Sequence, residues 1–303
     1  MSNRTGAPPR ALVHALVAMM CLVWGSTWMV IREGLHDLPP FTGASARLVL
    51  GGTLMALLVP LLARREGGTR PPAWLWVAFG TTNFASSYGI LYVSERVLPS
   101  GLASVLWAVF PLVMAAAGHW FLSESIRLAQ LLGMVLGLVG TCLLFATDVR
   151  SLGPEGVPMA LLLLCSPLVS AVGTTLVKRF GSGCSSLYLN RNAMLLAAAE
   201  LALVAWWQEA DAPMRWTLRT WLCLGYLGAV GTTLCFGTYM WLLRWAPASE
   251  LSIIALVTPC LALVLSWSVG ESSPTPGSVG GAALVVGGVA MALLLGRPKG
   301  RAT

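Results

Sequence analysis

The sequence predicts an all-α polytopic membrane protein, with ten transmembrane helices in two inverted five-helix repeats and both termini in the cytoplasm. Three observations carry this. Of 303 residues, 56% are hydrophobic and only 10% charged, with mean hydropathy +0.77, whereas soluble domains carry roughly 25% charge. Ten apolar stretches of about 20 residues, each bounded by charged or turn residues, match the thickness of a bilayer. A shift of 148 positions lays Arg96 on Arg244, Pro99 on Pro247, Ser104 on Ser252 and Pro111 on Pro259 without a gap, and farther back lays Gly80 on Gly228 and Gly89 on Gly237. With a one-residue slip Glu124 meets Glu271 and Gly140 meets Gly287.

The spans run in order from Leu12 to Ile31, Phe41 to Ala63, Trp74 to Val93, Ser100 to Leu122 and Leu128 to Ala146. The second set runs from Val157 to Val177, Leu187 to Trp207, Trp221 to Trp241, Ser249 to Val269 and Ser278 to Leu295. The first span follows a basic segment but exceeds a signal-peptide core in length, and no small-x-small cleavage site follows Trp28, so it reads as retained. Residues 11–147 form the first repeat and 155–296 the second, with tails at 1–10 and 297–303. Five spans per copy is an odd number, so the copies cross the membrane in opposite senses, the architecture of an alternating-access carrier.

Charge in the loops orients the chain, because Lys and Arg gather on the cytoplasmic side. With the N-terminus inside, the inner segments hold twelve basic residues: Arg4, Arg10, Arg64, Arg65, Arg70, Arg127, Lys178, Arg179, Arg244, Arg297, Lys299 and Arg301. The outer loops hold five, Arg32, Arg96, Arg150, Arg215 and Arg219, while Arg47 and Arg191 fall within spans. Anionic lipid head groups account for the net charge of +7, and no nucleic-acid partner is implied.

The seven cysteines contain no C-x-x-C pair and read as packing residues, with no metal or cofactor implied. Gly133, Gly137 and Gly140 in the fifth span, and Gly277, Gly280, Gly281, Gly287 and Gly288 in the tenth, lie near helical spacing. They let those two helices approach closely, as a scaffold or a subunit contact. Pro111 and Pro259, mates in the fourth and ninth spans, are candidate hinge positions, with a plain packing kink as the alternative.

Trp24-Gly25-Ser26-Thr27-Trp28 followed by Arg32, then Arg47, Leu91-Tyr92-Val93-Ser94, Pro99 to Ser104, Pro111 and Glu124, resembles the EamA domain of the drug/metabolite transporter superfamily. The second half, with Lys178-Arg179, Trp241 to Arg244, Pro247, Pro259 and Glu271, resembles a weaker copy. The resemblance implies a two-fold inverted bundle with a central cavity that moves metabolites such as amino acids, with amino-acid exporters of the YddG type among its members.

A carrier site belongs near the midplane between the repeats, where polar and aromatic side chains call for a reason. Trp24 lies in the first span, Asn83, Ser87 and Tyr88 in the third, Trp107 and Phe110 in the fourth, and Thr232 and Tyr239 in the eighth. Asn83 offers two donors and an acceptor to a zwitterion, with helix-to-helix bonding as the alternative. Trp24, Tyr88, Trp107 and Phe110 are candidates for an aromatic wall facing an apolar side chain or an organic cation, against plain core packing. Trp74, Trp76, Trp206, Trp207, Trp216 and Trp221 sit at span ends and read as interfacial belt residues.

Arg47 and Glu200 are candidate coupling residues that could also pair with each other, and snorkelling is the alternative for the arginine. With no other mid-span carboxylate, the expectation is facilitated diffusion or weak proton coupling. Glu124 and Glu271 read as helix-cap residues at loop entrances. The scattered His14, His36 and His119 and the absence of nucleophile or zinc motifs argue against an intramembrane enzyme. The reading is therefore a monomeric or dimeric inner-membrane exporter of small amphipathic metabolites. The alternatives are an organic-cation exporter and a lipid carrier or scaffold of the same fold.

Overall fold

The computed structural model describes residues 8–123, 127–149, 152–242, 251 and 253–295. Its ten helices are α1 (Arg10–Gly34), α2 (Pro40–Glu66), α3 (73–94), α4 (Ser100–Leu122), α5 (Leu128–Val149), α6 (Gly156–Phe180), α7 (Ser186–Gln208), α8 (218–242), α9 (Ile253–Ser268) and α10 (276–295). Eight are long and apolar enough to cross a bilayer, and the apolar α9 is shorter within the described residues. The remaining helix, α3, is diluted by the polar run Thr81-Thr82-Asn83 and Ser86-Ser87. Arg244, Pro247, Ser252 and Glu124, used above as repeat anchors, lie outside the described residues.

The duplication reappears in the backbone. Both α3 and α8 widen into π-helical turns at matched positions, Gly80–Ser86 and Tyr226–Leu234, and the offset of 148 carries residue 80 to 228 and 86 to 234. A second pair, Phe145–Val149 and Met291–Leu295, ends α5 and α10. Wide turns loosen the i to i−4 ladder, and hydroxyls take up part of the slack: Thr232 and Thr233 donate to carbonyls five residues back, at Leu227 (2.7 Å) and Gly228 (3.0 Å). The mated glycines sit at helix crossings. A Cβ on Gly80 would lie 2.8 Å from the Ala193 carbonyl oxygen on α7, and one on Gly228 2.8 Å from the Leu50 side chain on α2.

Packing follows the same exchange of halves. The mates α2 and α7 pack on each other, as do α5 and α10, while α1 against α9 mirrors α4 against α6, and α3 against α7 mirrors α8 against α2. A Cβ on Gly140 would fall 2.7 Å from the Gly281 carbonyl oxygen and one on Gly288 2.5 Å from that of Gly133. The expected glycine seam therefore joins α5 to α10. Apolar burial drives no association within lipid, so this contact rests on close van der Waals approach.

Outward surfaces are apolar, as lipid demands. Trp206 and Trp207 at the end of α7 are each 77% exposed, and Trp74, Trp216 and Trp221 are exposed as well. Trp76 departs from the expected belt: it packs against the main core cluster, because Leu75 and Phe79 beside it turn that face of α3 inward. The cysteines divide, with Cys21, Cys223 and Cys235 buried and Cys142, Cys165 and Cys260 on the outer surface.

Helix ends are closed by acids from the opposite repeat. Glu209, the C-cap residue of α7, accepts from the Phe41 and Thr42 backbone N–H groups (2.8 Å each) and the Thr42 hydroxyl at the start of α2. At the other end of the same pair, Glu66 at the end of α2 closes the start of α7 by accepting from the Ser186 (3.0 Å) and Leu187 (3.3 Å) N–H groups and from the Ser185 and Ser186 hydroxyls. Glu271 accepts from the Ser100 N–H of α4 at 2.7 Å. Its helix-capping role thus serves a distant helix rather than its neighbour in sequence, because the free N–H groups and positive dipole end of α4 are what it meets. Two prolines read as a matched pair behave differently. Helix α4 breaks at Ala108–Val109 and restarts with Pro111 in its first turn, whereas Pro259 lies inside the continuous α9.

Candidate functional site

At the centre of the bundle, Arg47 enters from α2 and is only 4% exposed. Its Nε donates to the Thr232 hydroxyl on α8 (3.1 Å), and its guanidinium lies 4.8 Å from the centre of the Tyr88 ring on α3. Neither snorkelling nor pairing with Glu200 occurs. Among the described residues no carboxylate lies within ion-pair distance of Arg47; Glu95 is the acid that acts on it electrostatically. A buried guanidinium held by a hydroxyl and a ring keeps most of its charge available.

Aromatic rings continue from this point across both repeats. Tyr88 meets Phe84 edge-on (5.7 Å), Phe84 meets Phe236 (5.9 Å), and Trp24 meets both Phe236 (5.7 Å) and Tyr239 (5.9 Å). The Trp24 indole donates to the Gly231 carbonyl at 3.0 Å, and Ser26 shares a hydrogen bond with the Tyr226 hydroxyl at 2.7 Å. Trp24, Tyr88, Phe236 and Tyr239 are all half-buried. The structure thus brings together Trp24, Tyr88, Thr232, Tyr239 and Arg47 from the sequence candidates.

The remaining candidates gather against α6. The Ser87 hydroxyl meets that of Ser166 (2.7 Å), to which the Trp107 indole also donates (3.0 Å), and Ser170 donates to the Asn83 side-chain oxygen. Trp107 stacks on Phe110 with centroids 4.9 Å apart and stands 6.3 Å from Trp28. Asn83 is thus bonded helix to helix, the alternative reading of its amide. Ser166 and Ser170, four residues apart on α6, were not singled out by sequence reasoning, though serines at helical spacing flanking Pro167 are a legible polar stripe. Phe84, Tyr226 and Phe236 were also missed, hidden among many other apolar and aromatic residues.

Glu200 lies apart from both groups. The Thr81 hydroxyl donates to it at 2.6 Å, its second oxygen is buried without a partner, and it lines a crevice of about 480 Å³ with Phe41, Ser86, Ile90, Leu162 and Val204. Among the described residues no group of three His, Cys, Asp or Glu side chains could hold a metal ion.

A duplicated ten-helix bundle with a buried cation and an aromatic wall contributed by both halves has the build of a membrane carrier rather than of a catalyst. The EamA-like transporter family model matches this chain twice, over residues 11–146 and 157–294, and the chain belongs to that family. It is therefore a multi-pass membrane protein that transports small solutes. It is 23% identical to the uncharacterized transporter YoaV of Bacillus subtilis over 91% of this chain and 94% of that one. It is 27% identical to the uncharacterized inner membrane transporter YedA of Escherichia coli K12 over 86% and 83% of the two chains. Protein PagO of Salmonella typhimurium is 22% identical over 84% and 83%. A solved crystal structure aligns over 95% of this chain and 99% of its own with a TM-score of 0.68 at 22% identity, a likeness of fold.

Proposed function

We propose that this transporter carries small amphipathic metabolites bearing a carboxylate, amino acids foremost, by alternating access in a bacterial inner membrane, where the name of its relative YedA also points. One observation supports the solute class most: Arg47 is a buried cation without a carboxylate at ion-pair distance among the described residues, beside half-buried rings. A solute carboxylate would complete the charge on Arg47, and its apolar part would rest on Trp24, Tyr88, Phe236 and Tyr239. Asn83, Ser87, Trp107 and Phe110 would shape the other wall through α6. Helices α1 to α4 would rock against α6 to α9 about the glycine seam of α5 and α10, using the break before Pro111 and the Pro259 turn. Both termini would be cytoplasmic, the unit a monomer or homodimer, and export the direction when the solute is concentrated inside. No chemical transformation of the solute is involved.

Counterflow in proteoliposomes at matched pH, with labelled amino acids, sugars and organic cations, tests this. Exchange of amino acids that is lost in Arg47→Met supports it; undiminished exchange in that variant removes Arg47 from the site. The crevice holding Glu200 favours a second reading, organic-cation export, under which cations exchange and Glu200→Gln abolishes the flux.

A further inference from the structure

Glu95 is the C-cap residue of α3 and is fully buried, and neither of its carboxylate oxygens accepts a hydrogen bond. Five of the nine buried side-chain polar atoms without a partner among the described residues belong to one short stretch, on Tyr92, Ser94, Glu95 and Ser100. Such a concentration is unusual, since buried polar groups are nearly always satisfied. An ionised carboxylate in that state lacks both water and donors, and the protonated form removes the charge.

Each neighbouring element contributes a charged or titratable group. From α1, Arg32 donates through Nη1 to the Glu95 backbone carbonyl (2.7 Å) and to that of Leu98 (2.6 Å). After α9, Glu271 faces Arg32 (3.8 Å to Nε) and accepts from the Ser100 N–H (2.7 Å) and the Ser266 hydroxyl (3.0 Å). From α2 comes Arg47, and from α3 itself Tyr88 and Tyr92. Burial pushes the Glu95 carboxyl well above the usual carboxylate range and the Glu271 charge raises it further, while Arg32 and Arg47 work against both. Two carboxyl groups in one neighbourhood, one accepting hydrogen bonds on Oε2 and facing a guanidinium and one without a donor, divide the roles of anion and proton holder.

We propose that Glu95 is the proton site of this carrier, linked to solute binding through Arg47. The linkage rests on the solute reading given above. In the closed state Glu95 keeps its proton; when the cavity opens to either side without solute, the Arg47 charge helps it release that proton to the water there, leaving the carboxylate to face the guanidinium. A solute carboxylate on Arg47 cancels that help and adds a negative charge, so the carboxylate takes a proton back from water. Solute and proton therefore favour each other's binding, by the same factor in both directions. Under a pH gradient the solute collects on the alkaline side, so export proceeds only where the solute gradient outweighs an opposing proton gradient, and without a pH gradient the carrier simply equilibrates.

Two measurements separate the claims. In lipid nanodiscs without solute, infrared spectra of wild type minus Glu95→Gln are expected to show the C=O stretch of a protonated carboxyl that persists well above the ordinary glutamate value of about 4.3 as the pH is raised. Glu95→Asp should retain a shifted band of the same kind. A C=O stretch that already gives way to a carboxylate band in that ordinary range overturns the proton site, whatever the solute proves to be. In proteoliposomes, leucine and phenylalanine are expected to accumulate up to about tenfold under a 1-unit pH gradient, since about one unit corresponds to tenfold at one proton per solute. Glu95→Gln should lose that accumulation while keeping counterflow exchange. Accumulation that survives in Glu95→Gln overturns the coupling, and a protonated band with no flux of any amino acid overturns the solute reading while leaving the proton site standing.

Discussion

Replacing Glu209 by Gln tests how strongly the repeats are fastened at the start of α2. Glu209 is 6% exposed and receives two backbone N–H groups and one hydroxyl, each at 2.8 Å. In Gln one oxygen becomes an NH2 group, which cannot accept. The least damaging orientation keeps the oxygen on Thr42 and leaves the Phe41 N–H bare, costing about 1–3 kcal/mol. The two surviving bonds fall from charge-assisted to neutral strength, roughly half, and the interaction with the positive end of α2 is lost, about 0.3–1 kcal/mol. The sum for Glu209→Gln is about 2–4 kcal/mol of unfolding free energy. Unfolding by sodium dodecyl sulfate in mixed micelles reads it directly. Glu66→Gln, which bares N–H groups at the start of α7 in the same way, should cost a similar amount. A Glu209→Gln variant within about 0.5 kcal/mol of wild type, the range of an ordinary surface change, would mean that these N–H groups draw equal partners from elsewhere, and the reasoning fails.

Other outcomes follow from single contacts. Gly140→Leu should drive α5 from α10, because even a Cβ there would stand 2.7 Å from the Gly281 carbonyl oxygen, and should cost several-fold in folded yield, whereas Gly287→Leu, with open space around it, should not. Folded yield is read by size-exclusion chromatography. Arg219 and the Thr217 hydroxyl hold the Asp37 carboxyl well below the usual carboxylate range, so the stability it contributes is complete above its unfolded value near pH 4 and is lost as pH falls through the folded one. Asp37→Asn should flatten that acid-side loss in a pH series of unfolding midpoints, and an unchanged slope refutes the assignment. Trp107→Phe removes the indole N–H that reaches Ser166 at 3.0 Å and should shift solute affinity more than folded yield if α6 shapes the cavity.

Much of the architecture was legible because it is repeated. Gly80 and Gly228, aligned only by their offset, occupy equivalent helix crossings, and the glycines of the fifth and tenth spans meet in one seam. Arg47 was legible as an anomaly of depth, a cation well inside an apolar stretch. Its partners were not, since Thr232 lies 185 positions away and only folding brings it near. The same holds for Glu66, Glu209 and Glu271, whose N–H partners lie 120, 168 and 171 positions away. Sequence reading looks for caps among near neighbours, so Glu66 and Glu209 resembled ordinary loop charges and Glu271 a cap for its own neighbourhood. Glu95 was hidden for a related reason. It falls just past the end of a span, where water is expected, and Arg32 with the α3–α4 turn closes over it instead.

The acids that close helix ends across the repeats bear on how the chain is made. During synthesis the first five helices enter the bilayer before the second set exists. At that stage the Trp24 indole lacks Gly231, Arg47 lacks Thr232, Glu66 lacks the start of α7, and the Ser100 N–H lacks Glu271. The first half is thus held in an unfinished state with its polar groups waiting. Its maturation is timed by the arrival of the second half, and a chain stalled between the repeats would present those groups to whatever machinery retires incomplete membrane proteins.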